Sequence, residues 1–194
     1  TSNRTEVCQY FAFYFAIATT ETHPELWQKL LHQFGPIRET RNDFPGIHKA
    51  NAFIGNYLRL ELLSQAGQTR QLLQECKDFF LQMAERTGTF WENMDERASC
   101  NHGFASHVSH VLFRDALGIA SLDPIERKVI IRFTDIDLNW CKGRLPLADG
   151  FLYFDWSKDE NGIRYTVDLP DGYSLRVANH SGLSVRQVNE CGLP

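Results

Sequence analysis

One stretch of the chain concentrates residue types that can carry acid–base chemistry and bind a sugar, namely residues 88–107, GTFWENMDERASCNHGFASH. Two aromatic residues, the second being Trp91, stand directly before Glu92, and Asn101 and His102 follow further along the loop. Apolar rings beside a carboxyl group disfavour its charged form, which raises its pKa toward the range useful in general acid or base catalysis. Glu92 is therefore a candidate catalytic carboxylate, and Trp91 offers a flat apolar surface for the C–H face of a sugar.

Each of these residues also has an ordinary structural interpretation. Glu92 fits a solvated residue beside a turn, and Asn101 fits the N-cap of a helix that starts at residue 102. In the functional interpretation, Asn101 and His102 donate hydrogen bonds to substrate hydroxyls. Asp95 and Glu96 are interpreted as a solvated acidic pair, and either one replaces Glu92 as the candidate carboxylate if that assignment is wrong.

The sequence gives little reason to expect a metal or a cofactor. His102, His107 and His110 are spaced so that one helical face does not hold all three, as a ligand set requires. The five cysteines are widely spaced and lack a CxxC pair, so we expect neither a disulfide framework nor a zinc site, but small buried side chains. No P-loop, G-x-G-x-x-G or G-x-S-x-G motif occurs.

Charge and hydropathy limit the partners. The net charge of −4 indicates no basic face, so we expect no nucleic-acid partner. No apolar run approaches the roughly 18 residues of a membrane span, so we expect no membrane insertion. The chain starts with Thr and soon enters an apolar helical pattern, which favours a piece cut from a larger protein.

Helical periodicity governs the first part of the chain and positions the candidate residues. Apolar residues at helical spacing predict five helices, at 6–18, 24–34, 51–66, 68–86 and 102–117. The first is apolar almost all round, so we expect burial on most of its sides. Gly67 predicts an antiparallel hairpin of the third and fourth helices, and Glu92 lies in the loop before the fifth.

The hydrophobic pattern changes from helical spacing to short strand-like runs after Ser121. Short runs rich in β-branched and aromatic residues predict strands at 128–133, 138–141, 150–156, 164–168 and 173–178. The turns DENG and PDG favour antiparallel hairpins and a small β-sandwich. Trp27, Trp140 and Trp156 are interpreted as core or packing residues. The fold class is thus α+β, with one domain at 1–120 and a second at 121–194.

Residues 47–119 resemble the C-terminal part of the catalytic domain of bacterial α-L-rhamnosidases, glycoside hydrolase family 78. The most specific part is a T-x-W-E element, Thr89–Glu92, followed by an S-x-N-H element, Ser99–His102. The strand-rich tail resembles the β-sandwich that follows the (α/α)6 barrel in this family. The resemblance implies that 1–120 is a partial (α/α)6 barrel and that 121–194 is a C-terminal β-sandwich.

The resemblance also implies roles for the loop residues. The family inverts configuration, and its T-x-W-E glutamate is the general base, so that role falls to Glu92, with Trp91 and His102 as sugar contacts. The family's general acid lies upstream in a motif resembling C-P-x-R-[DE] and G-W-x-G-D, which these 194 residues lack. An inverting site needs both carboxyl groups, about 6.5–9.5 Å apart, so we expect the chain alone to be inactive.

The implied function is the inverting removal of terminal α-L-rhamnose from glycosides or plant polysaccharides. Its partners are then a rhamnose-containing carbohydrate and the upstream barrel half of the same polypeptide, and the family implies a periplasmic or secreted location. Two alternatives remain open. One is a non-catalytic carbohydrate-binding module in which Trp91 binds sugar, and the other is a different (α/α)6 glycosidase such as an α-L-fucosidase.

Overall fold

The computed structural model describes residues 4–41, 43–51, 54–95 and 97–189. The chain divides into two compact units, Thr1–Ser109 and His110–Pro194. The first unit is helical and the second holds two β-sheets, so the fold class is α+β.

Helices α1 to α5 lie in the described residues as follows: α1 Glu6–Tyr14, α2 Pro24–Gln33, α3 Ile54–Gln65, α4 Thr69–Thr87 and α5 His107–Val111. Two 3-10 helices accompany them, Pro36–Glu39 and Gly103–Ser106. Local signals explain several ends: Thr5 Oγ1 accepts the Val7 N–H at α1, and Pro24 occupies the first turn of α2. All five predicted helical segments contain helix.

The first helix is shorter and less buried than the sequence predicts. It ends at Tyr14, because the chain turns through Ala16, whose φ of 55° lies in the left-handed region. Phe15 and Ile17 beyond it are 63% and 78% exposed, and Phe11 is 40% exposed. The prediction of a helix over 6–18 buried on most sides was therefore wrong for the described residues, since the helix ends at Tyr14 and its buried residues Glu6, Tyr10 and Phe13 lie on one face.

Two buried ion pairs fix the helices of the first unit. Arg59 on α3 makes a two-pronged pair with Glu75 on α4, at 2.5 and 2.6 Å, and donates to the Leu30 carbonyl at the end of α2. Glu6 on α1 pairs with Arg38 at 2.6 Å and accepts the backbone N–H of Ala50 at 2.8 Å. A charge-assisted bond to a buried partner is costly to break, so these pairs hold four α-helices, the 3-10 helix with Arg38 and the loop at Ala50 in register.

The second unit begins at His110, within α5, and continues with a π-helix, Leu112–Leu117, that ends at Gly118. Its strands, as far as the chain is described, are β1 Ile119–Asp123, β2 Lys128–Thr134, β3 Trp140–Leu147, β4 Gly150–Asp159, β5 Gly162–Asp168, β6 Ser174–His180 and β7 Val185–Gln187. They form one sheet of order β1-β2-β6 and another of order β3-β4-β5-β7.

The sheets are mixed, so the prediction of an antiparallel structure was wrong in part. The β1–β2, β3–β4 and β4–β5 pairs are antiparallel, as tight hairpins require. The β2–β6 and β5–β7 pairs are parallel. The reason is connectivity: after β5 the chain crosses back to the first sheet and then returns to the second, so these neighbours are not joined by hairpins.

Aromatic residues form the core of the second unit. Phe133 of β2 contacts Tyr165 of β5 at 5.4 Å and Phe154 of β4 at 6.1 Å between ring centroids, so the buried faces of the two sheets meet there. Trp156 is 2% exposed and its Nε1 donates to the Leu117 carbonyl at 3.0 Å, which fastens the π-helix to β4.

Several side chains lie elsewhere than expected. Trp27 and Trp156 are buried as predicted, but Trp140 is 45% exposed on the edge strand β3, so its assignment to the core was wrong. Among the described cysteines Cys76 is buried, whereas Cys8 is exposed, so burial does not explain all of them. No helix in the described ranges is long and apolar enough to cross a membrane.

Candidate active-site loop

The loop that carries the candidate residues starts at a glycine. Gly88 ends α4 with φ 69°, a left-handed conformation that glycine adopts without the penalty of a side chain, and its N–H bonds the Ala84 carbonyl. The chain therefore leaves α4 in a sharp turn and runs as a loop until the 3-10 helix Gly103–Ser106.

The two motif elements of this loop lie side by side. The N–H of Glu92 donates to the Ser99 carbonyl at 2.8 Å, and the N–H of His102 donates to the Phe90 carbonyl at 2.8 Å. A side-chain bond from Thr89 Oγ1 to the Cys100 carbonyl, at 2.5 Å, joins them again. The loop thus closes on itself, and Thr89–Glu92 and Ser99–His102 become one local structure.

Trp91 is the anchor of this loop. Its side chain has no exposed surface, its Nε1 donates to Thr87 Oγ1 at 2.8 Å, and the Arg86 guanidinium lies 5.0 Å from the ring centroid. Its backbone N–H also approaches Met83 Sδ at 3.3 Å. A sugar that stacks on a ring needs an exposed face, so this geometry favours a positioning role for Trp91 over the predicted direct contact.

Glu92 follows this anchor directly and is half-buried. Its backbone is held by the bond to Ser99, while its carboxylate makes no hydrogen bond or ion pair with any residue in the described ranges. A carboxylate on a fixed backbone, with its oxygens uncommitted, is able to accept a proton from a bound water.

Asn101 and His102 lie at the end of the paired segment. Asn101 is exposed, and the helix after it starts at Gly103 with His102 at the N-cap position and no side-chain cap. The interpretation of Asn101 as the N-cap was therefore wrong, because the backbone of His102 is committed to Phe90 and delays the helix. The half-buried His102 ring lies 5.8 Å from the Phe104 ring centroid.

The alternative carboxylates differ from Glu92 in their surroundings. Asp95 accepts the Arg97 N–H at 3.0 Å and its guanidinium at 2.7 Å. These hydrogen bonds hold the pKa of Asp95 below its ordinary value, which makes its exposed carboxylate a weaker base. Glu96 lies outside the described residues.

The other two histidines considered as metal ligands, His107 and His110, contact side chains of this protein. His107 Nε2 lies 3.1 Å from Glu61 Oε1, and its ring packs on Tyr57 with centroids 3.8 Å apart. His110 lies 3.4 Å from the Arg114 guanidinium. In the described part of the chain no group of three His, Cys, Asp or Glu side chains is placed to hold a metal.

The residues that hold this loop in place carry little signal in the sequence. Thr87 receives the indole N–H of Trp91, and its hydroxyl lies 2.7 Å from that of Thr89. Thr89 is the first residue of the T-x-W-E element, so the motif itself contained that signal. Nothing in the sequence pattern marked Thr87, since a threonine in the last turn of a helix is common.

An apolar hollow of about 580 Å³ opens beside the end of the loop. It is lined by aromatic and aliphatic side chains of α1 and α3 and by the start of the fifth helical segment: Phe11, Tyr14, Phe15, Ile54, Tyr57, Leu58, Gly103, Phe104, Ser106 and His107. Phe104 is 73% exposed there. A contiguous exposed apolar surface of this kind is typical of an interaction site.

Comparisons with known proteins give a likeness of fold. No protein-family model and no curated protein sequence matches the chain. Among solved structures, the chain is similar to a GH78 family rhamnosidase of Bacillus sp. GL1, with a TM-score of 0.74 and 20% sequence identity. The alignment covers 99% of this chain and 21% of that chain, so the chain spans about a fifth of the rhamnosidase. The fold of this chain is therefore similar to that of one part of this rhamnosidase.

Proposed function

We propose that this chain is the C-terminal portion of an α-L-rhamnosidase, an inverting glycoside hydrolase that removes terminal α-L-rhamnose from glycosides or plant polysaccharides. Residues 1–120 are the last helices of an (α/α)6 barrel, and residues 121–194 are its C-terminal β-sandwich. The observation that carries the proposal is the pairing of Thr89–Glu92 with Ser99–His102 in one closed loop. The likeness in fold to part of a rhamnosidase supports it.

Glu92 is the general base in this proposal. Its carboxylate takes a proton from a water while the water oxygen forms a bond to the anomeric carbon and the glycosidic bond breaks. A general acid gives a proton to the departing oxygen, and that acid comes from an upstream part of the polypeptide. The two carboxyl groups are then about 6.5–9.5 Å apart, with the water near the base.

The other loop residues orient Glu92 and the sugar. Trp91 locks the backbone before Glu92 through its buried ring and its bond to Thr87. His102 and Asn101 contact sugar hydroxyls, since both lie at the same closed end of the loop. Trp91 is thus assigned to positioning, because a ring without an exposed face offers no stacking surface.

The apolar hollow beside the loop is the contact surface for the upstream barrel half. Its lining is almost entirely apolar, whereas a pocket for a polyhydroxylated sugar needs several converging polar groups. The exposed Phe15 and Ile17 extend the same apolar character beyond α1. Helices of the same polypeptide that cover this surface complete the ring of helices.

The proposal is tested with the intact polypeptide and a Glu92→Gln variant. General base assistance is worth about 10² to 10⁴-fold, so kcat on p-nitrophenyl α-L-rhamnoside falls by at least about 10²-fold while substrate still binds. Asp95→Asn is the matched control and keeps near-normal turnover, because Asp95 is committed to Arg97. Near-normal turnover by Glu92→Gln contradicts the assignment of Glu92 as the general base. Faster turnover of p-nitrophenyl α-L-fucoside than of the rhamnoside contradicts rhamnose as the sugar that is removed.

A further inference from the structure

The outer face of the second sheet carries three exposed aromatic side chains on neighbouring strands. Trp140 of β3 is 45% exposed, and Phe151 and Tyr153 of β4 are 41% and 46% exposed. Tyr153 lies directly opposite Arg144, and Phe151 lies opposite Pro146. Residues opposite each other in an antiparallel pair share a face, and alternate residues of one strand do so too, which places all three rings on one surface.

Two cations on the edge strand β3 lie among these rings. Lys142 Nζ is 5.8 Å from the Trp140 ring centroid, and the Arg144 guanidinium carbon is 5.1 Å from the Phe151 centroid. We call the set Trp140, Lys142, Arg144, Phe151 and Tyr153 the β3–β4 patch. A cation held over a ring keeps its position while its remaining N–H groups stay available to a ligand.

The carboxylates of this face lie on the inner strands. Asp155 of β4 is opposite Lys142 and is half-buried, and Asp168 of β5 is opposite Tyr153. Arg164 of β5 is paired with Asp159 at 2.9 Å. The two charged residues on β3 itself are therefore both positive; Lys142 faces Asp155, whereas Arg144 faces a tyrosine and has no carboxylate directly opposite.

We propose that the β3–β4 patch binds an oligosaccharide that bears carboxylate groups, a site apart from the Glu92 loop. Aromatic faces suit the C–H faces of sugar rings, and Lys142 and Arg144 pair with the sugar carboxylates. Trp140 and the position of Arg144 are about 14 Å apart along β3, at about 3.4 Å per residue. Trp140 and Tyr153 therefore contact different sugars of one chain.

Other partners fit this surface less well. A protein strand that adds to an edge needs free backbone groups, and Pro146 and two charged residues on β3 oppose that addition. A nucleic acid requires an extended basic surface, and the chain has a net charge of −4 with only two cations in the patch. A few carboxylates on a chain of sugars match both the rings and the number of cations.

This inference goes beyond the proposed hydrolysis and its test measures binding alone. In the longest soluble polypeptide that contains this chain, an oligogalacturonate is titrated while tryptophan fluorescence is followed. Trp27, Trp91 and Trp156 are at most 9% exposed, and the part of a saturable change that disappears in a Trp140→Phe variant reports on Trp140. A neutral oligosaccharide of equal length and an oligonucleotide of equal charge are titrated in parallel.

Variants measured by calorimetry assign the site. We expect Trp140→Ala, and separately the double change Lys142→Ala with Arg144→Ala, to weaken binding by about tenfold. Ile125→Ala is the matched control, because it removes an apolar side chain that is 89% exposed in the β1–β2 turn. Melting temperatures confirm that each variant is folded. We expect Glu92→Gln to leave the affinity for the oligogalacturonate unchanged, so a failure of this binding test is distinct from a failure of the proposed hydrolysis.

Four results would overturn the proposal. Equal affinity for the neutral oligosaccharide, or for the oligonucleotide, overturns the proposal, because the first removes the role of the cations and the second leaves only charge attraction. Absence of saturable binding to the oligogalacturonate overturns it as well. An unchanged affinity in Trp140→Ala moves binding away from the β3–β4 patch and also overturns it.

Discussion

At the scale of single residues, Trp91 and Glu92 contrast in their burial and in their hydrogen bonds. The ring of Trp91 is buried and bonded to Thr87, whereas the carboxylate of Glu92 next to it is half-buried and uncommitted in the described residues. One side chain is therefore packed inward, while the other is partly exposed to solvent. A buried anchor beside a free carboxylate is an arrangement that positions a base.

Replacing Trp91 by alanine distinguishes the anchor from a sugar-stacking wall. We expect Trp91→Ala to lower the free energy of unfolding by about 3–5 kcal/mol, because it leaves a large cavity. We also expect kcat to fall, since Glu92 loses its support. Urea unfolding and steady-state kinetics measure both. A higher KM with unchanged stability would instead indicate that the Trp91 ring stacks on the sugar.

Removing one hydroxyl tests the pairing of the two motif elements. Thr89→Val keeps the side-chain shape and deletes the hydroxyl that donates to the Cys100 carbonyl and lies 2.7 Å from the Thr87 hydroxyl. We expect a loss of about 1–3 kcal/mol in stability and a lower kcat with little change in KM. Thr20→Val, at an exposed position of the α1–α2 connection, is the control. Normal turnover in Thr89→Val would show that the loop holds Glu92 without this bond.

The cysteines offer a chemical check of burial. Cys8 is exposed, whereas burial raises the pKa of the Cys141 thiol, and the thiolate is the reactive form. In a Cys191→Ser background we therefore expect a disulfide reagent to label Cys8 about tenfold faster than Cys141 near pH 8. Peptide mapping of the labelled protein gives the order, and labelling of Cys141 first would contradict the packing of β3.

At the scale of elements, local periodicity and turn residues predicted the helices, most strands and the antiparallel β4–β5 hairpin, but not the parallel pairs. The strands β1 and β7 were missed because one follows a helix directly and the other has three residues, too few to show alternation. The parallel β2–β6 pair joins segments far apart in sequence, which no local pattern specifies. β3 runs to Leu147 although it contains Pro146, because proline is tolerated on an edge strand.

The candidate site was predictable to the same extent. The motif T-x-W-E placed Glu92 in a loop after α4, and the glycine signal for the end of that helix was correct. The closing bonds between Phe90 and His102, and between Glu92 and Ser99, are backbone contacts across a gap of several residues. Side-chain types do not encode such contacts directly, so neither the burial of Trp91 nor the delayed helix start at Gly103 was foreseen.

The Arg59–Glu75 pair is expected to hold α2, α3 and α4 together. Glu75→Gln leaves a buried guanidinium without its charge partner, so we expect a loss of about 3–5 kcal/mol in urea unfolding. The double variant Arg59→Met with Glu75→Leu should lose less free energy of unfolding than the sum of the losses in its two single variants, because no unpaired buried charge remains. Lys49→Met, which breaks the exposed pair with Glu39, should cost under about 1 kcal/mol.

At the scale of the whole molecule, the first unit leaves a large apolar surface exposed. Phe15, Ile17 and Phe104 are each more than 60% exposed, and the hollow near them has an apolar lining. Such surface in water favours association, and the proposed occupant is the upstream barrel half. Under the proposed function, this surface is covered within a longer polypeptide.

The isolated 194-residue chain should accordingly self-associate and lack rhamnosidase activity. Light scattering should give a mass above that of the 22.3 kDa monomer, and Phe15→Ser with Ile17→Ser should lower it. Ile125→Ser, a similar change in the other unit, should not. Hydrolysis of the aryl rhamnoside by a monomeric chain would contradict both the missing acid and the incomplete barrel.

The central claim, that Glu92 is the general base of an inverting hydrolase, is tested most directly by chemical rescue of a Glu92→Ala variant in the intact polypeptide. Azide attacks the anomeric carbon without giving up a proton, so it needs no base. We expect azide to restore consumption of p-nitrophenyl α-L-rhamnoside and to yield the β-rhamnosyl azide, as seen by nuclear magnetic resonance. Formation of the α-azide would mean net retention of configuration and would contradict an inverting site. A Glu92→Ala variant that turns over normally without azide would contradict the role of Glu92 as the base.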